Sequence, residues 1–145
     1  MSHKPRVLVI CTGNSMRSQI AEGVLRLELG NQIEVFSAGT HPTHVHPLAI
    51  AVLADIGYDA TRHRSKGVHE FLNTPIDLVI TLCESAKEAC PVLPHAEKTV
   101  HRGYPDPISA GSPSDLAQMM AGIRDRMRTE LCDLVVRELN LRPPR

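Results

Sequence analysis

Val7-Leu8-Val9-Ile10-Cys11-Thr12-Gly13-Asn14-Ser15-Met16-Arg17-Ser18 decides the fold of this chain. Four consecutive β-branched or aliphatic residues, Val7 to Ile10, have the pattern of a strand buried on both faces of a parallel sheet, and Cys11 stands at its carboxyl end. From Ser18 to Leu29 apolar residues recur at Ile20, Ala21, Val24, Leu25 and Leu29, a helical period that Gly30 and Asn31 end. The opening is therefore strand, tight loop, helix. Working outward, Ile33–Phe36 reads as a second strand and Pro47–Ile56 as a second helix stopped by Gly57. Leu78–Leu82 reads as a third strand, and Lys98–His101 as a fourth, short one. Ser114–Leu139 has helical periodicity, with Ser114 or Asp115 as its N-cap, and the Arg142–Arg145 tail is expected to fray. Strands alternating with helices predict an α/β sheet.

Size and composition narrow the functional classes. A chain of 145 residues with 42% hydrophobic content closes one core, so residues 1–145 are read as one domain. The formal charge is zero, which offers no basic field for a nucleic acid or an anionic membrane. No apolar stretch approaches the about 20 residues a membrane helix needs. A cytoplasmic monomer acting on a small substrate is expected. The four cysteines, Cys11, Cys83, Cys90 and Cys132, are read as free, catalytic or metal-bound thiols rather than as a disulfide framework.

In open parallel sheets, ligands bind outside the carboxyl ends of strands, where loops meet helix N-termini. The segment Thr12, Gly13, Asn14, Ser15, Met16, Arg17 and Ser18 lies at such a place. Gly13 is expected to allow the turn, and its small neighbours let successive N–H groups converge on a tetrahedral oxyanion. That positive environment favours thiolate over thiol at Cys11. Arg17 adds a planar fork for two oxyanion oxygens, and Ser18 a donor to the thiolate. Alone, Cys11 would read as an ordinary buried thiol and Arg17 as a solvated helix residue. Together, at a C-x5-R spacing between strand and helix, they read as a nucleophile and its oxyanion clamp. Downstream, Tyr104-Pro105-Asp106-Pro107 stiffens a loop that can hold the Asp106 carboxyl over the site as a proton donor, although Asp-Pro is also a common turn.

The segment Cys11–Glu22 resembles the phosphate loop of the thioredoxin-coupled arsenate reductases, which share the low-molecular-weight tyrosine phosphatase fold. The resemblance continues through Ser37-Ala38-Gly39, Thr81-Leu82-Cys83, Cys90-Pro91 and Asp106-Pro107. It implies a four-stranded parallel sheet flanked by helices on both faces. For activity it implies attack of the Cys11 thiolate on arsenate, with phosphate or sulfate as analogues. Arg17 and the loop amides would stabilise the oxyanion and Asp106 would protonate the leaving hydroxide. Cys83 would then attack Cys11, releasing arsenite, and Cys90 would attack Cys83, leaving a Cys83–Cys90 disulfide that thioredoxin reduces. No organic cofactor or metal is implied. If Cys83–Cys90 is helical, its ends lie roughly 10 Å apart, beyond the about 7 Å limit for a disulfide, so the segment would unwind on oxidation.

A phosphatase using Cys11, Arg17 and Asp106 on phosphotyrosine or a small phosphate ester is the alternative. Against it, Phe36, Tyr58, Phe71 and Tyr104 are the only aromatic residues, and Ile108-Ser109-Ala110-Gly111 supply no ring to stack on a phosphotyrosine. Met16 stands where many relatives carry a further cysteine. Some relatives bind potassium through residues matching Asn14, Glu22 and Ser37 with an aspartate where Lys66 stands here, and an ammonium at that place would exclude the ion. His41, His44 and His46 have no obvious carboxylate partner for a metal, and Cys132 falls on the apolar side of its helix as a structural thiol.

Overall fold

Val7, Leu8, Val9 and Ile10 are all fully buried, as a strand covered on both faces must be. The computed structural model describes residues 3–83, 93–107 and 111–144. Strand β1 (Arg6–Cys11) is followed by helix α1 (Arg17–Leu29), β2 (Glu34–Gly39), α2 (Pro47–Ala54), a 3₁₀ turn (Val68–Phe71), β3 (Ile76–Cys83) and β4 (Ala96–Tyr104). Helix α3 (Pro113–Arg126), a π-helical turn (Met127–Leu131) and helix α4 (Cys132–Leu139) complete the described chain.

The strands form one parallel sheet in the order β2-β1-β3-β4. With β1 in the middle, Cys11 pairs with Gly39 on one side, and Ile10 pairs with Thr81 on the other. The backbones of Cys11 and Cys83 thus end neighbouring strands at the same edge. Between β3 and β4 the register slips: Thr81 faces His101 but Cys83 faces Tyr104, so Arg102 and Gly103 together oppose Leu82. Such a bulge re-aims the strand beyond it.

One sheet face, carrying Val7, Val9, Leu78 and Ile80, packs against α1, α2, α3 and α4 through Ile20, Leu25, Leu53, Met120 and Val135. The other, carrying Leu8, Ile10 and Val79, is closed by Phe71 of the 3₁₀ turn and by Leu93.

Three expectations change. The C-terminal helix is not continuous, because a π-helical turn divides it. The wider turn re-phases the helix so that Met127, Leu131, Cys132 and Val135 all stay buried. Its N-cap is Ser112, whose Oγ accepts from Asp115 N at 3.1 Å, rather than Ser114 or Asp115, because Pro113 already occupies the first helical position. Nor does the tail fray at Arg142. Asn140 caps α4 in the left-handed conformation and turns the chain back. The Gln32 side chain then donates to Arg142 O at 2.9 Å and accepts from Arg142 N at 3.0 Å.

Candidate active site

Cys11 is buried at the end of β1, and its Sγ lies 2.9 Å from Ser18 Oγ on the first turn of α1. The direction of that bond follows from its neighbours. Lys66 N donates to Asn14 Oδ1 at 2.8 Å, so the other end of the Asn14 amide is the donor. It donates to Ser18 Oγ at 2.7 Å and to Ser37 Oγ at 3.0 Å. With one of its lone pairs taken by Asn14, Ser18 keeps its own proton for the Cys11 sulfur. That donor holds the sulfur at the carboxyl end of β1, where a nucleophile would meet a ligand.

The loop between Cys11 and Arg17 is held by its carbonyls. Cys11 O accepts from Thr40 N, Thr12 O from His41 N, Gly13 O from Thr43 N and Ser15 O from His46 N, at 2.8 to 3.3 Å. Asn14 O accepts from Gln19 Nε2 at 2.9 Å, and Ser65 Oγ adds a second donor to Gly13 O at 3.0 Å. In a trans peptide the N–H points opposite to the carbonyl. Tying these carbonyls to the surrounding segments therefore turns the N–H groups of Thr12, Gly13, Asn14, Ser15 and Met16 toward the concave side, which is the geometry of an anion nest. Among the described residues no side chain caps α1 at Met16, and a helix N-terminus of this kind attracts anions.

The turn is not made where expected. Asn14, not Gly13, has the positive φ, 47°. Asparagine tolerates that conformation, and here both ends of its amide are fixed. Gly39 is the glycine the loop requires: a Cβ there would stand 2.5 Å from Thr12 O and 2.8 Å from Asn14 N. Gly39→Ala is expected to destabilise the fold by about 1–3 kcal/mol and to lower oxyanion affinity. Urea unfolding together with phosphate titration checks both.

Arg17 is 7% exposed, with Nη1 donating to Tyr104 O at 3.2 Å and Nη2 3.7 Å from Asp106 Oδ2. A cleft of about 460 Å³ is lined by Cys11, Gly13, Arg17, Thr43, His44 and Asp106, and also by Thr12, Ser15 and Met16. It brings nucleophile, anion nest, guanidinium and carboxyl to one opening. A thiolate beside a nest, with a carboxyl across from it, can displace a leaving oxygen from a tetrahedral oxyanion and protonate it.

The family model of the low molecular weight phosphotyrosine protein phosphatases matches residues 6–140. The chain belongs to that family. Among relatives within this phosphatase family, "Arsenate reductase 2" of Staphylococcus epidermidis is 38% identical over 88% of this chain and 94% of its own. A solved structure described as an arsenate reductase in the phosphate binding state is 26% identical, with a TM-score of 0.69 over 92% of this chain and 98% of that one. A thioredoxin-dependent arsenate reductase of Corynebacterium glutamicum is 28% identical, with a TM-score of 0.69 over 96% of this chain and 64% of that one.

Of the residues expected to form this phosphatase-family site, the structure brings together Cys11, the loop Thr12–Ser18 and Asp106. Cys90 and the Cys83–Cys90 helix lie outside the described residues, and Cys83 is described only as the backbone end of β3. Cys132 is buried at the α4 terminus, and burial pushes its thiol up to about 12, so it stays protonated at neutral pH. His46 caps α2, its Nδ1 accepting from Leu48 N at 3.0 Å. Among the described residues no group of three or more His, Cys, Asp or Glu side chains is placed to hold a metal, and no helix is long and apolar enough to cross a membrane.

Beneath the loop, Glu22 collects two cations and a buried histidine, whose pKa burial lowers. Arg26 Nη1 lies 3.0 Å and His63 Nε2 3.4 Å from its Oε2, and Lys66 Nζ lies 3.7 Å from its Oε1. Lys66 Nζ is also 3.4 Å from Ser37 Oγ, itself bonded to Glu22. Burial lowers the Lys66 pKa from its ordinary value, and Glu22 opposes that shift. Sequence reasoning missed Gly39 as a contact and the Tyr104 carbonyl as the anchor of Arg17. Neither a close approach nor a backbone acceptor leaves a periodic signal.

Proposed function

We propose that the protein is a cytoplasmic, monomeric arsenate reductase that draws its electrons from thioredoxin. The observation that carries this reading is Cys11, its Sγ 2.9 Å from Ser18 Oγ, lining a cleft together with Arg17 and Asp106. The relatives named as arsenate reductases supply the choice of substrate.

The nest and Arg17 bind arsenate, and the Cys11 thiolate attacks arsenic. Hydroxide leaves with a proton from Asp106, giving a thiol–arsenic adduct. Cys83 thiolate then attacks Cys11 Sγ. The electron pair of the S–As bond passes to arsenic, arsenite leaves as As(III), and a Cys11–Cys83 disulfide forms. Cys90 attacks Cys83, freeing Cys11 as thiolate and leaving Cys83–Cys90 for thioredoxin to reduce.

The test is arsenate-dependent NADPH oxidation with thioredoxin and thioredoxin reductase, beside hydrolysis of an aryl phosphate. Rapid arsenate-dependent oxidation is expected. Aryl phosphate hydrolysis without it would leave the phosphatase reading in place.

Lys66 bears on cations. Its ammonium, between Ser37 and Glu22, occupies the place a monovalent ion would take and repels one that approaches. The arsenate rate is expected to be the same in potassium and sodium at fixed ionic strength. Activation of severalfold by potassium would refute this role of Lys66.

A further inference from the structure

Tyr104, whose carbonyl anchors Arg17, carries a cluster of charged residues that does not line the cleft and that the reaction does not use. Tyr104 ends β4 just past the bulge and is fully buried. Its carbonyl accepts from Arg17 Nη1 at 3.2 Å. Arg126 Cζ lies 5.1 Å and Arg102 Cζ 5.9 Å from the centre of its ring, both within cation–π range. Two guanidiniums on one ring repel each other unless an anion lies between them. Glu130 supplies it: Arg126 Nε and Nη2 each lie 3.3 Å from its two oxygens, and Arg102 Nη2 pairs with its Oε1. Glu130 belongs to the π-helical turn, a feature common at functional sites.

We infer that Arg102, Arg126 and Glu130 are positioning residues for Arg17, acting through Tyr104. The inference rests on the reading that Arg17 binds the oxyanion. An unanchored arginine loses much rotamer freedom when it clamps an anion. Fixing Nη1 on the Tyr104 carbonyl removes part of that loss beforehand and leaves the rest of the fork for the ligand. The carbonyl is only as fixed as its residue, and beyond a bulge the regular ladder holds it less well. Core packing holds the ring from one side, and the two cations joined through Glu130 add a second, directional hold. Without Glu130 the guanidiniums repel, the grip opens and Arg17 loses its anchor.

The test uses the full chain with inorganic phosphate as probe, comparing wild type, Glu130→Gln, Arg126→Met, Arg126→Lys and Arg17→Ala. Phosphate titration, arsenate KM and kcat, and melting temperature are read for each. Glu130→Gln and Arg126→Met are expected to weaken phosphate binding and raise KM about three- to tenfold, with kcat within about twofold and unchanged melting. Arg126→Lys, which keeps a cation over the ring, is expected to recover part of the loss. Wild-type affinity in Glu130→Gln and Arg126→Met, with affinity lost in Arg17→Ala, overturns the inference, as does a loss that appears only with a lowered melting temperature. Wild-type affinity in Arg17→Ala overturns the reading of the site itself.

Discussion

Cys11→Ser is expected to abolish arsenate turnover, by at least about 10⁴-fold, while leaving phosphate affinity within a few-fold of wild type. Serine is close in size to cysteine and can keep a hydrogen bond to Ser18, so the loop carbonyls remain tied to Thr40, His41, Thr43 and His46. Binding belongs to the nest and Arg17, which are untouched. Chemistry does not survive. A serine hydroxyl holds its proton far more tightly than a thiol, so the nucleophile is lost. Oxygen also cannot enter thiol–disulfide exchange, so even a slow adduct would have no route by which two electrons reach arsenic. Loss of one member of a group acting as a unit removes nearly all of its effect. Steady-state arsenate reduction alongside phosphate titration checks this. A rate above about one per cent of wild type would show that Cys11 is not the attacking atom.

Cys83→Ser and Cys90→Ser are expected to separate two activities that share one cleft. Both should lose thioredoxin-driven turnover, and both should hydrolyse an aryl phosphate at close to the wild-type rate. Ester hydrolysis needs only Cys11, the nest, Arg17 and Asp106, whereas reduction of As(V) must place two electrons on arsenic. The two variants should also stop at different points. Without Cys83 the thiol–arsenic adduct has no attacking sulfur, and no arsenite is released. Without Cys90 the first exchange proceeds, releasing about a single equivalent of arsenite and leaving the Cys11–Cys83 disulfide unresolved. Full arsenate turnover in either variant would remove that cysteine from the reaction. Rapid-quench measurement of arsenite, with the aryl phosphate rate as control, distinguishes these outcomes.

The nucleophile loop was legible because its physics is local. A buried strand ending at Cys11, a C-x5-R spacing and a helical period from Ile20 to Leu29 each read within a few residues, and the structure brings these residues together in that order. What was not legible depends on distant chain. Gly13 looked like the turn residue, but the left-handed position fell to Asn14 because Lys66 N and the hydroxyls of Ser18 and Ser37 hold its amide. Gly39 matters because β2 brings it against Thr12 and Asn14, a contact fixed by sheet register. The long C-terminal period was read as one helix, since a π-helical turn keeps the apolar face in phase and leaves the pattern looking unbroken. Ser18 reads from the sequence as a donor to the thiolate, but nothing local shows that Gln19 and Glu22 are buried with it beneath the loop. Polar residues inside a helix face otherwise facing the core signal a site only once their partners are known.

In the proposed relay arsenic takes two electrons from Cys11 and Cys83, and the disulfide so formed passes from Cys11–Cys83 to Cys83–Cys90. The most direct measurement is a single turnover of the fully reduced chain with arsenate and no thioredoxin, followed by alkylation and peptide mapping. The relay predicts alkylated Cys11, a Cys83–Cys90 disulfide and one equivalent of arsenite per chain. Arsenite absent, with Cys11, Cys83 and Cys90 all alkylated, would contradict it.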